Sequence, residues 1–192
     1  LRNGLALLLL LAQYSRFEHS YEDFVPGKEN IYRVKLETFN NNELIMSSAE
    51  NYPGVGPALK AEIPEVVSFA RLYNQGYKNN VIITNKDAKP DPIAFKQTRF
   101  QYADSSFLPM MGYEMVKGNA KTALVEPFTC VISETYAKLY FKDEDQIGKT
   151  LLLQDDDDNF ESAKVTGVFK DLPENTHLKF DVLYSYQTLY NR

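Results

Sequence analysis

The stretch that decides the fold is residues 163–177, AKVTGVFKDLPENTH, in the C-terminal half of the chain. Residues 163–170 are rich in β-branched and aromatic side chains, which favour a strand. Residues 171–175 contain a proline and an asparagine and predict a turn. A second strand is predicted over residues 176–186. Two strands joined by a short loop indicate that this half of the chain is built on a β-sheet.

The N-terminal half predicts a hairpin, a short helix and a further strand. Residues 31–39 alternate apolar and polar, and with residues 43–48 they predict a hairpin around the asparagines at 40–42. Pro57 suits the first turn of a helix that ends before Pro64. Residues 65–73 predict a strand, and we expect the helix to cover a layer formed by this strand and the hairpin.

The rest of the chain predicts one well-marked helix among several strands. Ser133 suits an N-cap and Glu134 the first turn of a helix that runs to about Phe141. The other predicted strands are residues 81–84, 93–102, 113–116 and 149–153. Many strands with few helices predict an α+β fold.

Composition limits the class of protein. The chain has 192 residues, 44% of them hydrophobic, which is enough for one globular domain or two small lobes. Its 13 Tyr and 12 Phe, with no Trp, favour a β-rich fold with half-buried aromatic surface. The net charge of −5 and the scattered basic residues argue against a nucleic-acid partner, which would need a dense basic face.

The residues able to carry catalysis do not form a recognisable set. Cys130, the single cysteine, lies in an apolar β-type run and is expected to be a small buried side chain. His177 follows the predicted turn and is expected to hydrogen-bond within the adjacent loop. His19 is expected to lie at a helix end. A hydrolase needs a nucleophile with a base beside it, and the sequence supplies no such pair. We therefore predict no catalytic residue and no enzyme activity.

The candidate ligand sites are equally weak. The acidic run at 155–159 lacks the glycine and the alternating carboxylates of a calcium loop, so a solvated hairpin tip is expected. Gly54 and Gly56 are flanked by prolines, which remove the amide donors that an anion would need. Gly148-Lys149-Thr150 lacks the upstream glycine of a Walker motif and precedes a strand. No metal-binding or cofactor-binding residue and no cofactor are predicted.

The apolar run at the N-terminus leaves three interpretations open. Residues 5–12 would rise about 12 Å as a helix, against about 30 Å of hydrocarbon in a bilayer. The run could end a truncated transmembrane helix, form the core of a signal peptide, or be a buried helix. The aromatic and basic residues that follow, 14–17, are typical of a membrane-water boundary and favour the truncated span.

An ordered series of segments resembles the extracytoplasmic core domain of MacB/FtsX-type ABC transporter permeases. The segments are residues 102–107, 117–124, 131–141, 147–151 and 165–177, preceded by 20–24 and 30–34. The resemblance implies a two-lobe domain. Residues 1–24 would be the end of a truncated first transmembrane helix and a membrane-proximal helix. Residues 25–75 and 163–192 would form an α/β porter-like lobe, with its C-terminal part missing, and residues 76–162 an inserted β-rich sabre-like lobe.

The resemblance also implies a function. The domain would lie on the periplasmic side of a bacterial inner membrane and couple cytoplasmic ATP hydrolysis to extracytoplasmic movement, by mechanotransmission. The substrate would be an effluxed compound, a lipoprotein or lipid, or a peptide. Implied partners are a cytoplasmic ATPase subunit, a second permease copy, the membrane itself, and a periplasmic adaptor or lipoprotein cargo. The alternative is a stand-alone periplasmic ligand-binding module, which a deep polar pocket would favour.

Overall fold

The computed structural model describes residues 2–74, 81–155 and 159–191. Its α-helices are α1 Arg2–His19, α2 Val55–Glu62, α3 Phe107–Met110 and α4 Glu134–Phe141, and 3₁₀ helices span Lys28–Asn30 and Tyr186–Tyr190. The strands are β1 Leu36–Asn40, β2 Glu43–Ser48, β3 Leu72–Tyr73, β4 Val81–Asn85, β5 Ile93–Gln97, β6 Phe100–Ala103, β7 Met115–Lys117, β8 Thr129–Ser133, β9 Thr150–Gln154, β10 Phe160–Phe169 and β11 Val182–Ser185. The predicted α+β fold is confirmed.

The described strands form two sheets. Strands β1 and β2 pair as a separate antiparallel hairpin. The other nine form one mixed sheet in the order β3-β6-β11-β8-β10-β9-β4-β5, with β7 paired to β10. The pairs β8–β10 and β6–β11 are parallel and the remaining pairs are antiparallel. The long strand β10 contacts β7, β8 and β9 and organises the centre of the sheet.

The large sheet must curl strongly. Strands β5 and β6 lie six positions apart in the sheet, which is about 29 Å if the sheet were flat. In the chain only residues 98 and 99 separate them, and the three steps from Gln97 to Phe100 reach about 11 Å. The two ends of the sheet therefore approach each other, as in a partly closed barrel.

A hydrophobic cluster lies on each side of this curled sheet. The first includes Tyr140 of α4, which contacts the ring of Phe95 at 5.3 Å between centroids, so α4 covers one face. The second covers the other face and includes Phe107, Leu124, Val131, Phe169 and Leu183. Strand β8 is buried along its whole length, as expected of a strand with both faces covered.

Close packing at the edge of β10 requires a glycine. Gly118, just after β7, has φ of 83°, in the left-handed region. A β-carbon there would lie 2.4 Å from the carbonyl oxygen of Thr166, so a larger residue would push β10 away.

Several predicted elements are confirmed. The hairpin forms around residues 40–43, but its first strand is Leu36–Asn40 and not the whole of the predicted 31–39. Helix α4 has the predicted limits, and Ser133 caps it by accepting from the amide of Tyr136 at 3.4 Å. Helix α2 carries Pro57 in its first turn. Strand β9 follows Gly148-Lys149 as expected.

Other predicted elements are wrong or shorter. Of the strand predicted at 65–73, only Leu72–Tyr73 forms, and of that at 176–186, only Val182–Ser185. The strand predicted at 93–102 is two strands, β5 and β6. The predicted layer does not form, because α2 buries none of its residues, β1–β2 is a separate sheet and β3 belongs to the large sheet.

The division into a porter-like and a sabre-like lobe stays a prediction. Its first boundary, at 75 and 76, lies outside the described residues, and its second, at 162 and 163, falls within β10. The large sheet draws strands from both predicted ranges.

Candidate functional site: the junction of the N-terminal helix with the sheet

Helix α1 presents an exposed apolar surface. Leu5 and the leucines at 7–11 are each about 60% exposed, as is Tyr14. Arg16 and His19 lie in the last turn, where the helix dipole favours basic side chains. The prediction that His19 lies at a helix end is confirmed. No helix in the described part of the chain has the length and apolar character needed to cross a membrane.

After α1 the chain makes a tight turn, which is hydrogen-bonded to residues 175–177 at the end of the stretch 163–177. The hydroxyl of Ser20 donates to the carbonyl of Phe17 at 2.7 Å. Glu22 has φ of 58°, and its amide donates to the carbonyl of Asn175 at 3.1 Å. The side-chain amide of Asn175 donates to the carbonyl oxygen of Ser20 at 2.7 Å and to its Oγ at 2.8 Å. Residues 153 and 155 positions apart are thus held together by several hydrogen bonds.

The carboxylate of Glu22 completes the junction. Its Oε2 accepts from the hydroxyl of Thr176 at 2.6 Å, and its Oε1 accepts from the amide of His177 at 2.7 Å. The same hydroxyl of Thr176 accepts from the amide of Leu178 at 3.1 Å. Thr176 is 3% exposed, so its own two bonds are partly shielded from water, whereas the bond from the His177 amide is exposed.

Aromatic contacts support the same joint. The rings of Tyr21 and His177 lie 4.5 Å apart, and those of Phe17 and Tyr21 lie 5.6 Å apart. Val25 enters the second hydrophobic cluster. The hydroxyl of Tyr113, in the same cluster, donates to the carbonyl of Leu178 at 3.3 Å. Burial, followed by the negative charge of Glu22, raises the pKa of Tyr113 well above its usual range. The end of α1 is therefore joined to the core by polar and apolar contacts.

His177 acts in this junction rather than within its own loop. Its Nδ1 lies 3.3 Å from the carboxylate of Glu22, 155 residues away, so the expected bond to the adjacent loop is wrong. Its side chain is 76% exposed, and its contacts with Glu22 and Tyr21 position α1 rather than a nucleophile. The site therefore holds two segments together and offers no arrangement for acid-base catalysis.

The other candidates from the sequence lie away from this junction. Cys130 is buried in β8, and burial raises the pKa of its thiol far above the usual value. Lys149 pairs with Glu144 at the surface. Of the acidic run, residues 156–158 lie outside the described residues. Within the described ranges, no group of three or more His, Cys, Asp or Glu could hold a metal ion.

The sequence did not predict that Glu22 contacts Thr176 or that Asn175 contacts Ser20. The decisive stretch contains two of them, but a single sequence gives no sign that they meet residues 20–22. The positive φ of Glu22 could not be predicted from the sequence either, because glutamate rarely adopts a positive φ.

The fold and the junction define an α+β domain joined to an exposed apolar helix. The sequence profile of the MacB-like periplasmic core domain matches residues 4–192. The chain belongs to this family. It is accordingly the periplasmic domain of a MacB-like ABC transporter permease, placed outside the cytoplasm, and such a domain is not itself catalytic. No curated protein matches the chain in sequence.

Several solved structures are similar, including the three that follow. A domain of a Porphyromonas gingivalis protein described as a permease is 30% identical, with a TM-score of 0.56, over 76% of this chain and 56% of that one. The periplasmic region of MacB from Actinobacillus actinomycetemcomitans is 14% identical, with a TM-score of 0.41, over 64% and 48%. The extracellular domain of the noncanonic ABC-type transporter YknZ from Gram-positive bacteria is 14% identical, with a TM-score of 0.36, over 59% and 58%. The chain thus spans roughly half of these structures.

Proposed function

We propose that this domain couples ATP hydrolysis in a cytoplasmic subunit to movement outside the membrane, by mechanotransmission. The observation that carries the proposal is the junction at Ser20 and Glu22, which bonds the end of α1 to residues 175–177. These residues lie in the loop between β10 and β11, and both of these strands are in the middle of the large sheet. A displacement of α1 would therefore act directly on the sheet.

The character of α1 supports a role at the membrane. Its exposed leucines give it an apolar surface that the core does not cover, while its last turn carries Arg16 and His19. An apolar segment followed by aromatic and basic residues is typical of a helix that meets the membrane-water boundary. In this proposal α1 receives the movement in the membrane and the sheet carries it into the periplasm.

The partners follow from the same proposal. A cytoplasmic ATPase drives two permease copies, and the paired domains move a substrate outside the membrane with an adaptor or a lipoprotein as partner or cargo. The substrate class is an effluxed compound, a lipid or lipoprotein, or a peptide. We also propose that residues 25–75 and 163–192 act as a porter-like lobe and residues 76–162 as a sabre-like lobe.

The proposal can be tested with the full-length permease and its ATPase in lipid nanodiscs. Spin labels at exposed Lys121 on two permease copies would report the distance between the domains. We expect this distance to change between the nucleotide-free state and the state trapped with ATP and vanadate. Replacing Asn175→Ala should reduce the change while ATP hydrolysis continues, because the bonds to Ser20 are lost.

The matched control is Asn30→Ala, an exposed asparagine that bonds only weakly to its neighbour Glu29 at 3.5 Å. It should leave the distance change intact. A distance that does not respond to nucleotide in the unmodified permease would refute the coupling function. A full response in a folded Asn175→Ala permease would refute the junction as its route.

A further inference from the structure

Arg71 lies directly before β3 and contacts three separate segments of the chain. Its Nε and Nη2 donate to Oδ2 and Oδ1 of Asp104 at 2.8 and 2.9 Å, a two-point ion pair. Its Nη1 donates to the carbonyl of Pro53 at 3.0 Å and to the hydroxyl of Tyr190 at 2.9 Å. One guanidinium thus joins the end of β6, the turn before α2, and the 3₁₀ helix Tyr186–Tyr190.

The surroundings of Arg71 hold it in this position. The side chains of Arg71 and Asp104 are only 17% and 9% exposed. The guanidinium carbon lies 4.1 Å from the ring centre of Tyr186, within the range of a cation-π contact. The backbone also takes part, since the amide of Arg71 donates to Asp104 Oδ2 at 2.8 Å and the amide of Asp104 donates to the carbonyl of Arg71 at 3.1 Å. A partly buried charge with this many partners has little freedom to move.

Helix α2 meets the core beside this cluster. None of the residues of α2 is buried, so packing does little to fix it. Its first turn lies against the ring of Phe69, where a β-carbon on Gly56 would come 2.6 Å from that ring. Phe69 is itself 5.5 Å from the guanidinium of Arg71, and its carbonyl accepts from the hydroxyl of Ser106 at 2.5 Å. The contact between α2 and the core is therefore centred on Arg71 and its neighbours.

We propose that Arg71 is a coupling residue that makes α2, the sheet edge at β3–β6 and the 3₁₀ helix Tyr186–Tyr190 move as one unit. A shift of the 3₁₀ helix would be passed to Pro53, and so to α2, through a single guanidinium. The inference concerns the interior of the domain and does not depend on the proposed transport function.

Hydrogen-deuterium exchange on the 192-residue chain tests the coupling. Tyr190→Phe removes one hydroxyl on the 3₁₀ helix and leaves the Arg71–Asp104 pair in place. We expect it to speed exchange in α2 by about threefold or more, although the two segments are far apart in sequence. Tyr32→Phe, at a tyrosine that is 82% exposed, is the matched control and should leave α2 unchanged.

Arg71→Met should speed exchange in both α2 and the 3₁₀ helix by about tenfold or more. In this background Tyr190→Phe should add less than about twofold in α2, because the connection is already broken. Arg33→Met, at an exposed arginine, is its control. A merely local role of Arg71 in β3 would not produce the long-range effect of Tyr190→Phe.

Two results would overturn the proposal. One is an α2 exchange rate in Tyr190→Phe equal to that in Tyr32→Phe. The other is a full, additive effect of Tyr190→Phe in the Arg71→Met background. If Arg71→Met also speeds exchange in β8 and β10, the variant has lost its sheet, and the comparison of the two tyrosine variants decides alone.

Discussion

Replacing Thr176→Val removes a hydroxyl from the junction while keeping the shape of the side chain. Two bonds are lost, one donated to the Glu22 carboxylate at 2.6 Å and one accepted from the Leu178 amide at 3.1 Å. A bond to a charged group contributes about 1.5–3 kcal/mol and a neutral one about 1 kcal/mol. The Glu22 carboxylate keeps its hydrogen bond from the His177 amide. Its side chain is 24% exposed, so water can replace part of the hydrogen bonding that the Thr176 hydroxyl supplied. We expect a decrease of about 2 kcal/mol in the free energy of unfolding.

Urea unfolding followed by circular dichroism measures this decrease, and thermal unfolding should show a fall in Tm of about 4–8 °C. Thr150→Val, at the exposed first position of β9, is the matched control and should change the free energy of unfolding by less than about 0.5 kcal/mol. Exchange of the amides at residues 20–25 should speed up in Thr176→Val but not in the control. Equal stability losses in the two variants, with unchanged exchange at residues 20–25, would refute the junction as a stabilising contact.

Three further predictions concern the core and the sheet. Gly118→Ala should lower the free energy of unfolding by more than about 2 kcal/mol. Gly148→Ala is the control, because Gly148 has a similar φ of 85° but its nearest neighbour is at 3.7 Å, so backbone strain alone should lower the free energy of unfolding by about 1 kcal/mol. Equal losses in urea titrations would contradict the role of the Thr166 contact. Because burial raises the pKa of Cys130, a thiol reagent such as Ellman's should not label the folded chain but should label one thiol after unfolding in urea, and rapid labelling of the folded chain would contradict its burial. Burial raises the pKa of Asp181, an effect that Arg99 opposes and the charge of Asp171 assists. As pH falls towards about 3.9, the pKa of Asp in an unfolded chain, Asp181 is therefore protonated at a higher pH in the folded state than in the unfolded state. Asp181→Asn should therefore stabilise the protein at pH 7, with an advantage that shrinks as pH falls through this window; urea titrations in which the advantage grew instead would contradict the raised pKa.

Local signals in the sequence predicted the elements that are determined locally. Ser133 and Glu134 mark the start of α4 because capping and the helix dipole act within one turn. The asparagines at 40–42 mark the hairpin because Asn41 and Asn42 adopt positive φ readily. The order of segments around the decisive stretch was enough to predict the family.

Long-range contacts determined what the sequence could not predict. Residues 65–71 have strand-like composition, but Ser106 binds the Phe69 carbonyl and Asp104 binds the Arg71 amide, so side chains use the groups that a sheet would pair. Residues 176–178 are likewise bonded to Glu22 or to one another instead of extending β11. In the candidate site, His177 was noticed for its chemistry, but its partner Glu22 is 155 residues away.

The position of β11 sets an order for folding. Strand β11, Val182–Ser185, lies between β6 and β8, so among the described strands it is the one whose ladder joins the β3–β6 pair to the rest of the large sheet. Until Val182–Ser185 pair with both neighbours, β6 and β8 each present an unpaired inner edge. A chain in which β11 has not yet paired would expose both edges to other chains. Protection of these two edges from aggregation therefore depends on the four residues of β11.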